Sequence, residues 1–210
     1  MNATSSQEIM QGTTTVAIIF QSGVVLATEK RATMGSLIAS KKAKKVYQIS
    51  DRIGMTTAGG VGDAQQLARM MTVECNLFNI RRGKSISVSA ASTLLSNLLN
   101  ANRYFPYYVQ LIVGGIDEKG ASIYSVDALG GATQEEEIVS TGSGSPMAYG
   151  VLEDRYVKDM NEADAVSLAI RSLKSAMRRD AGSGEGINVV VIAKDRYHEF
   201  SEEELAIIGL

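Results

Sequence analysis

The sequence QGTTTVAIIF occupies residues 11–20 and places a hydroxyl residue at the start of an apolar run. The run predicts a strand over 13–20, preceded by the small, flexible Gly12. Cleavage of the Gly12–Thr13 bond would leave Thr13 with both a hydroxyl nucleophile and a free α-amine. Such an amine has an ordinary pKa of about 7.7–8.0 and is a base near neutral pH. The stretch therefore fits an N-terminal threonine nucleophile, although the pattern is also typical of plain β-rich sequence.

The composition predicts one globular domain in a reducing compartment. The 210 residues are 45% hydrophobic and 21% charged, which is the balance of a folded α/β domain of ordinary size. A net charge of −2 gives no reason to expect a nucleic-acid or membrane partner. The lone Cys75 excludes an intrachain disulfide. With His198 as the one histidine, a His/Cys zinc site is disfavoured, and we expect neither a metal nor a cofactor.

The first twelve residues differ in character from the rest of the chain. MNATSSQEIMQG lacks a basic start and a continuous apolar stretch, so it is not a secretory signal. It is short and polar, as a removable propeptide or a disordered tail would be. No apolar run in the sequence approaches the length of a membrane span. We therefore divide the chain into a propeptide over 1–12 and one domain over 13–210.

The order of predicted elements favours an α+β fold. Strands are expected over 13–20, 24–30, 46–49, 53–58, 107–117, 121–127 and 187–193, with residues 31–35 as a loop and a further strand running from Gly131 toward Val139. Gly83 is expected to end the first helix, Ser145 and Asn161 to cap the third and fourth, and Gly182 to end the fourth. This order suits two packed sheets with a helix pair on each outer face, and it does not suit a doubly wound fold.

Several short motifs together carry a family resemblance. They are residues 12–16, 29–33, 44–45, 57–59, 62–64, 141–145 and 179–180. In these motifs the chain closely resembles proteasome β-subunits, most of all those of archaea, from Gly12 to about Val191. The resemblance implies a four-layer αββα sandwich of the N-terminal-nucleophile hydrolases, with two antiparallel sheets between helix pairs. It also implies a cytoplasmic threonine endopeptidase that removes residues 1–12 by autolysis.

The resemblance implies a set of catalytic residues: Thr13, Glu29, Lys45, Gly59, Ser143, Asp180 and Ser183, with the self-cleavage site at Gly12 and Thr13. In that set the Lys45 cation keeps the amine neutral and eases deprotonation of the hydroxyl. Glu29 orients Lys45, and is one methylene longer than the aspartate that many members carry. The Gly59 N–H stabilises the oxyanion, a contribution of about 2.7–4 kcal/mol. Ser143, Asp180 and Ser183 surround the amine and position its water.

Two of these residues also have plainer interpretations. Lys45 belongs to a cluster of four lysines within 41–45 and could simply be surface charge. Gly59 could serve a strand-to-helix turn, and the glycines around it could hint at phosphate binding at a helix N-terminus. The sequence lacks a phosphate-binding GKS/T signature at that point.

By family position a second set of residues lines the substrate pocket: Ala32, Ala43, Tyr47, Thr57 and Val61, with Thr33 binding the substrate backbone. These walls are small or apolar and carry no carboxylate. The resemblance therefore implies cleavage after apolar residues, a chymotrypsin-like preference.

The resemblance also implies an assembly. Homo-heptameric β-rings would stack face to face between α-subunit rings, with a regulatory ATPase reached through the α-ring and unfolded polypeptides as substrates. Two other interpretations stay open at this point. One is a catalytically silent ring subunit with a scaffold role, and the other is a different N-terminal-nucleophile hydrolase such as an amidase or the bacterial two-ring peptidase. The motifs at 141–145 and around Asp180 favour the proteasome type over the second.

Overall fold

A computed structural model describes residues 12–208 of the chain. The strands are β1 (Thr15–Phe20), β2 (Gly23–Glu29), β3 (Ala32–Met34), β4 (Leu37–Ser40), β5 (Val46–Ser50), β6 (Ile53–Gly59), β7 (Val109–Asp117), β8 (Gly120–Val126), β9 (Ala132–Glu135), β10 (Ile138–Thr141), β11 (Ile187–Ala193) and β12 (Arg196–Glu199). The helices are α1 (Val61–Arg82), α2 (Val88–Ala101), α3 (Ser145–Arg155), α4 (Glu162–Met177) and α5 (Glu202–Ile208).

Two five-stranded antiparallel sheets form the centre of the fold. The first sheet has the order β10-β1-β2-β11-β12, and the second has the order β5-β6-β7-β8-β9. β3 and β4 form a separate two-stranded ribbon. In the first sheet β1 pairs with β2 on one edge and β10 on the other, so that Thr15 lies opposite both Thr28 and Thr141. The start of β1 is therefore held between two neighbouring strands.

Alternate residues of β2 face two different hydrophobic cores, one on each side of the first sheet. All seven of its residues are buried, because both faces of the strand are covered. Val25 and Ala27 belong to a core shared with α3 and α4, whereas Val24 and Leu26 belong to the core between the two sheets. A third core packs α1 and α2 against the second sheet. The result is the predicted four-layer αββα sandwich, which is confirmed.

Glycines let the two sheets approach closely at Leu26. A Cβ added at Gly54 would lie 2.7 Å from Leu26 Cδ1, and one added at Gly114 would lie 2.9 Å from Leu26 Cδ2. Both distances are too short for a real carbon–carbon contact. The leucine side chain of the first sheet thus fills the space that two absent side chains of the second sheet leave.

Two of the four predicted helix ends are confirmed, and four local predictions are wrong. Gly83 ends α1 with a φ of 63°, and the Asn161 side chain caps α4 by accepting from the Asp164 N–H at 2.9 Å. However, α3 is capped by Gly144 rather than Ser145, and α4 ends at Met177, five residues before Gly182.

The other two corrections concern strands. Residues 31–35 are not a loop, since β3 and β4 pair across this region. The segment from Gly131 to Val139 is not one strand. It splits into β9, which pairs with β8 of the second sheet, and β10, which pairs with β1 of the first.

Candidate active site

Thr13 lies two residues before the start of β1, at the edge of a cavity of about 370 Å³. It is 4% exposed and still joined to Gly12 by a peptide bond. Its hydroxyl donates a hydrogen bond to the Gly12 carbonyl oxygen at 2.5 Å. The cavity is lined by Gly12, Thr13, Ala32, Thr33, Met34, Gly35, Lys45, Gly59, Gly60 and Val61. Thr13 and Lys45, which are 32 positions apart in sequence, therefore line one cavity.

Glu29 and Lys45 form a buried ion pair beside Thr13. Their side chains are 0% and 6% exposed, and Lys45 Nζ donates to both Glu29 Oε1 and the Arg31 carbonyl oxygen. Burial is the larger influence on each group: it lowers the pKa of Lys45 and raises the pKa of Glu29, while the attraction between the two charges opposes both shifts. An ammonium has three donors. Two of them are used by Glu29 and the Arg31 carbonyl oxygen, which hold the lysine where it also lines the cavity with Thr13.

Backbone N–H groups complete the coordination of Glu29. Its Oε1 accepts from the Thr14 N–H at 3.3 Å, and its Oε2 accepts from the N–H groups of Arg31 at 2.7 Å and Gly184 at 3.1 Å. With Lys45, four donors point at one carboxylate. Such a carboxylate is held rigidly, and the interpretation of Lys45 as one of several solvated surface lysines is wrong because its partner lies fully inside the protein.

A second polar network reaches Thr13 from the turn that follows α4. Asp180 Oδ2 accepts from the hydroxyls of Ser143 at 2.7 Å and Ser183 at 2.6 Å. The Ser143 hydroxyl lies 3.4 Å from Thr13 N, and Ser183 Oγ lies 2.7 Å from the Thr14 hydroxyl. The three residues named from sequence thus form one hydrogen-bonded group, which Ser143 joins to the backbone nitrogen of Thr13 and Ser183 joins to the Thr14 hydroxyl.

The loop before α3 packs directly on Thr13. Gly142 has a φ of +92°, and a Cβ added there would lie 2.0 Å from the Thr13 carbonyl oxygen. A glycine is required by both the left-handed backbone and the close approach. The Gly142 N–H is held in turn by Gln110 Oε1 at 2.9 Å. This loop therefore fixes the backbone position of Thr13.

Gly59 ends β6 at the opposite wall of the cavity. Its φ is +123°, and a Cβ there would meet the Tyr108 carbonyl oxygen at 2.0 Å. The next residue, Gly60, donates its N–H to Tyr108 O at 2.8 Å and caps α1, which begins at Val61. A helix N-terminus carries partial positive charge. Gly59 thus is a turn residue, and it also places backbone next to a cavity with a favourable field for an anion.

The predicted pocket residues fall into two groups. Ala32, Thr33 and Val61 line the cavity with Thr13. Ala43, Tyr47 and Thr57 do not line it. The Ala43 N–H donates to Lys30 O, the Thr57 N–H donates to Lys45 O, and the Tyr47 hydroxyl donates to Lys44 O. Ala43 thus lies within the lysine-rich segment 41–45, and Tyr47 and Thr57 donate to backbone carbonyl oxygens of that segment.

Sequence reasoning missed several contributors. Met34, Gly35 and Gly60 line the cavity, and Arg31 and Gly184 contact the ion pair. Arg31 lies two residues after Glu29, within the family motif over residues 29–33, and this position is the sequence feature that could have indicated its place in the site. A larger cavity of about 560 Å³ between α3 and α4 contains none of the predicted site residues.

The described part of the chain contains neither a metal-binding cluster nor a membrane-spanning helix. Between residues 12 and 208 no group of three or more His, Cys, Asp or Glu side chains could hold a metal ion. Over the same residues, no helix is both long and apolar enough to cross a bilayer.

A threonine placed before the first strand of an αββα sandwich, beside a buried lysine, is the arrangement of the N-terminal-nucleophile hydrolase fold. Residues 9–192 match the family described as "Proteasome subunit". A "Proteasome subunit beta" of Methanoregula boonei is 75% identical over 95% of this chain and 93% of the relative. The proteins of that name from Methanosphaerula palustris and Methanoculleus marisnigri are 72% and 70% identical, each over 96% of this chain and at least 94% of the relative. The chain therefore belongs to the proteasome subunit family, in its β type, which confirms the resemblance.

Proposed function

We propose that this β-type subunit of the 20S core is an active threonine endopeptidase and not a silent scaffold. The observation that carries the proposal is the buried Glu29–Lys45 pair, which shares a cavity with Thr13. Burying two charges costs free energy even when they are paired. A subunit with a purely structural role has no chemical need of such a pair beside a threonine.

The first reaction would be removal of residues 1–12. The Thr13 hydroxyl already lies against the Gly12 carbonyl group, 2.5 Å from its oxygen. Attack of Oγ1 on the Gly12 carbonyl carbon, with transfer of the hydroxyl proton to the departing Thr13 nitrogen, would convert the peptide bond to an ester. Water would then hydrolyse the ester and release the leader with a free carboxylate. The product is a chain that begins with the α-amine of Thr13.

Substrate hydrolysis would repeat this chemistry on another chain. The freed amine takes the hydroxyl proton through a water as Oγ1 attacks the substrate carbonyl carbon, and that proton passes to the nitrogen of the breaking peptide bond, so the fragment after the cut leaves as an amine. The acyl group stays on Oγ1 as an ester, and a second water hydrolyses the ester to release a free carboxylate. The positive charge of Lys45 favours the neutral amine. The Ser143–Asp180 pair, 3.4 Å from Thr13 N through the serine oxygen, would orient the amine and its water. The Gly59 N–H would stabilise the oxyanion.

The cavity supports a preference for apolar residues before the cut. Ala32, Met34 and Val61 supply apolar walls, and none of the described residues that line the cavity carries a carboxylate. Met34 is 69% exposed and Val61 46% exposed in the isolated chain, so both side chains are free to contact a substrate. The roles of Ala43, Tyr47 and Thr57 in the pocket remain predictions from family position.

The partners follow from the family. We propose homo-heptameric β-rings stacked between α-rings, a regulatory ATPase acting through the α-ring, and unfolded polypeptides as substrates in the cytoplasm. Closed rings form when identical subunits contact one another through head-to-tail interfaces.

The test is hydrolysis of an apolar fluorogenic peptide by the subunit co-produced with its α-partner. Thr13→Ala removes the nucleophile and should abolish hydrolysis, whereas Thr13→Ser keeps a hydroxyl and should retain part of it. Thr93→Ala is the matched control, because Thr93 is exposed on α2 and its hydroxyl donates to Ser89 O within the same helix. Undiminished hydrolysis by Thr13→Ala would refute the proposed function.

A further inference from the structure

Arg31 lies where the two polar networks of the site meet. Its N–H donates to Glu29 Oε2 at 2.7 Å, and its carbonyl oxygen accepts from Lys45. We propose that the side chain of Arg31 is a positioning residue that fixes the turn 180–185 against the Glu29–Lys45 pair. This inference rests on the function proposed above, because it assigns the turn a part in that reaction.

The Arg31 guanidinium donates hydrogen bonds to two residues of the turn. Nη1 donates to the Ala181 carbonyl oxygen at 2.9 Å, and Nη2 donates to Glu185 Oε1 at 3.3 Å. A Cβ added at Gly184 would lie only 2.3 Å from Arg31 Cζ and Nη2, so the planar group rests directly on the glycine backbone. A flat, forked side chain can span both acceptors while lying on this surface, and a lysine ammonium cannot.

The turn needs such support. Glu185 has a φ of 66°, a left-handed conformation that is unfavourable for a residue with a Cβ. Its carboxylate is held by Arg31 and, at 3.9 Å, by Lys41. The Arg31 and Glu185 side chains are only 21% and 23% exposed, whereas that of Lys41 is 68% exposed. Arg31 is therefore the stronger of the two supports.

The same turn supplies both networks of the active site. It carries Asp180, which holds Ser143, and the Gly184 N–H, which donates to Glu29 at 3.1 Å. The groups that act on the Glu29 charge are Lys45 from the segment before β5 and the N–H groups of Arg31 and Gly184, all of which lower its pKa. Two further charges act on Lys45: Asp180 raises its pKa, and the Arg31 guanidinium lowers it. A loosened turn would remove the Gly184 contribution, so Glu29 would take up its proton at a higher pH.

The experiment compares kcat, KM and their pH profiles for wild type, Arg31→Lys, Arg31→Ala and the control Arg81→Lys, which makes the same chemical change at an exposed position of α1. We expect Arg31→Lys to lower kcat about 10- to 100-fold with little change in KM, since displacing a catalytic group by about 1 Å costs on the order of 100-fold. The acid limb of its kcat profile should move to higher pH. Arg31→Ala should lose more, and Arg81→Lys should keep both the kcat and the profile of wild type.

Wild-type kcat and pH profile in Arg31→Lys would overturn the inference. So would a loss of kcat that only follows the folded fraction, measured by far-UV circular dichroism, with the acid limb unmoved. Thr13→Ala is assayed in parallel. Hydrolysis that persists in Thr13→Ala overturns the proposed function and this inference with it. If hydrolysis requires Thr13 but Arg31→Lys keeps the kcat and pH profile of wild type, the positioning role alone is overturned.

Discussion

Glu29→Gln is the substitution that probes the buried ion pair most sharply. The change keeps the size of the side chain and replaces one oxygen by an NH₂ group. In the native site Oε1 accepts from Lys45 and the Thr14 N–H, and Oε2 accepts from the N–H groups of Arg31 and Gly184. Whichever way the amide turns, its NH₂ group therefore faces two donors.

The cost follows from these contacts. Each buried donor that loses its acceptor destabilises the fold by about 1–3 kcal/mol. Removing one partner of a buried ion pair costs about 3–5 kcal/mol in total, because the remaining charge is left uncompensated. We therefore expect Glu29→Gln to lower the free energy of unfolding by about 3–5 kcal/mol, a large part of the 5–15 kcal/mol typical of a domain. The pKa of Lys45, which burial already lowers, should fall further without its partner.

The assay is urea unfolding followed by far-UV circular dichroism, since the chain contains no tryptophan. The matched control is Glu118→Gln, which makes the same chemical change at an exposed position of the β7–β8 turn and should cost less than about 0.5 kcal/mol. A Glu29→Gln variant that loses less than about 1 kcal/mol would show that the pair is not an essential part of the folded site.

Two further predictions follow from local geometry. Gly142→Ala should abolish peptide hydrolysis, because the added methyl group would collide with the backbone of Thr13. The control is Gly120→Ala, since Gly120 has a similar φ of +111° but nothing within 4 Å of an added Cβ, and this variant should lose only about 1–2 kcal/mol of stability. Equal hydrolytic activity of the two variants would contradict this prediction. Cys75 is 0% exposed and burial raises its pKa to about 11, so at pH 8 roughly one thiol in a thousand is ionised and a disulfide reagent should react only after unfolding. Fast labelling of native protein would show that the α1 core opens readily.

The main elements of the fold could be predicted because their patterns are strong and local. β2 is apolar over most of its length, and α4 carries both a capping asparagine and buried residues at helical spacing. The β3–β4 ribbon could not be predicted in this way. Its seven residues are half-buried or exposed, so it has no buried face to impose an alternating pattern. The split between β9 and β10 depends on which sheet each one joins, and that is settled by tertiary pairing.

For the candidate site, residue identities came from the family resemblance and contacts came only from the structure. Ser143, Asp180 and Ser183 were named because they match the family, yet their shared hydrogen bonds join segments 37 positions apart. The Gly184 N–H could not be found from sequence at all, because a backbone donor leaves no mark on residue type. Arg31 belongs to one of the family motifs, but its hydrogen bond to the turn depends on a fold that brings residues 31 and 181 together.

The most direct test of the account is the intact mass of this chain after assembly with its α-partner. Self-cleavage at Gly12 predicts a single species whose mass corresponds to residues 13–210, with threonine at its amino terminus. A fully assembled, peptide-hydrolysing particle whose β chains all retain residues 1–12 would contradict the central claim, because Thr13 would then have no free amine to serve as the base.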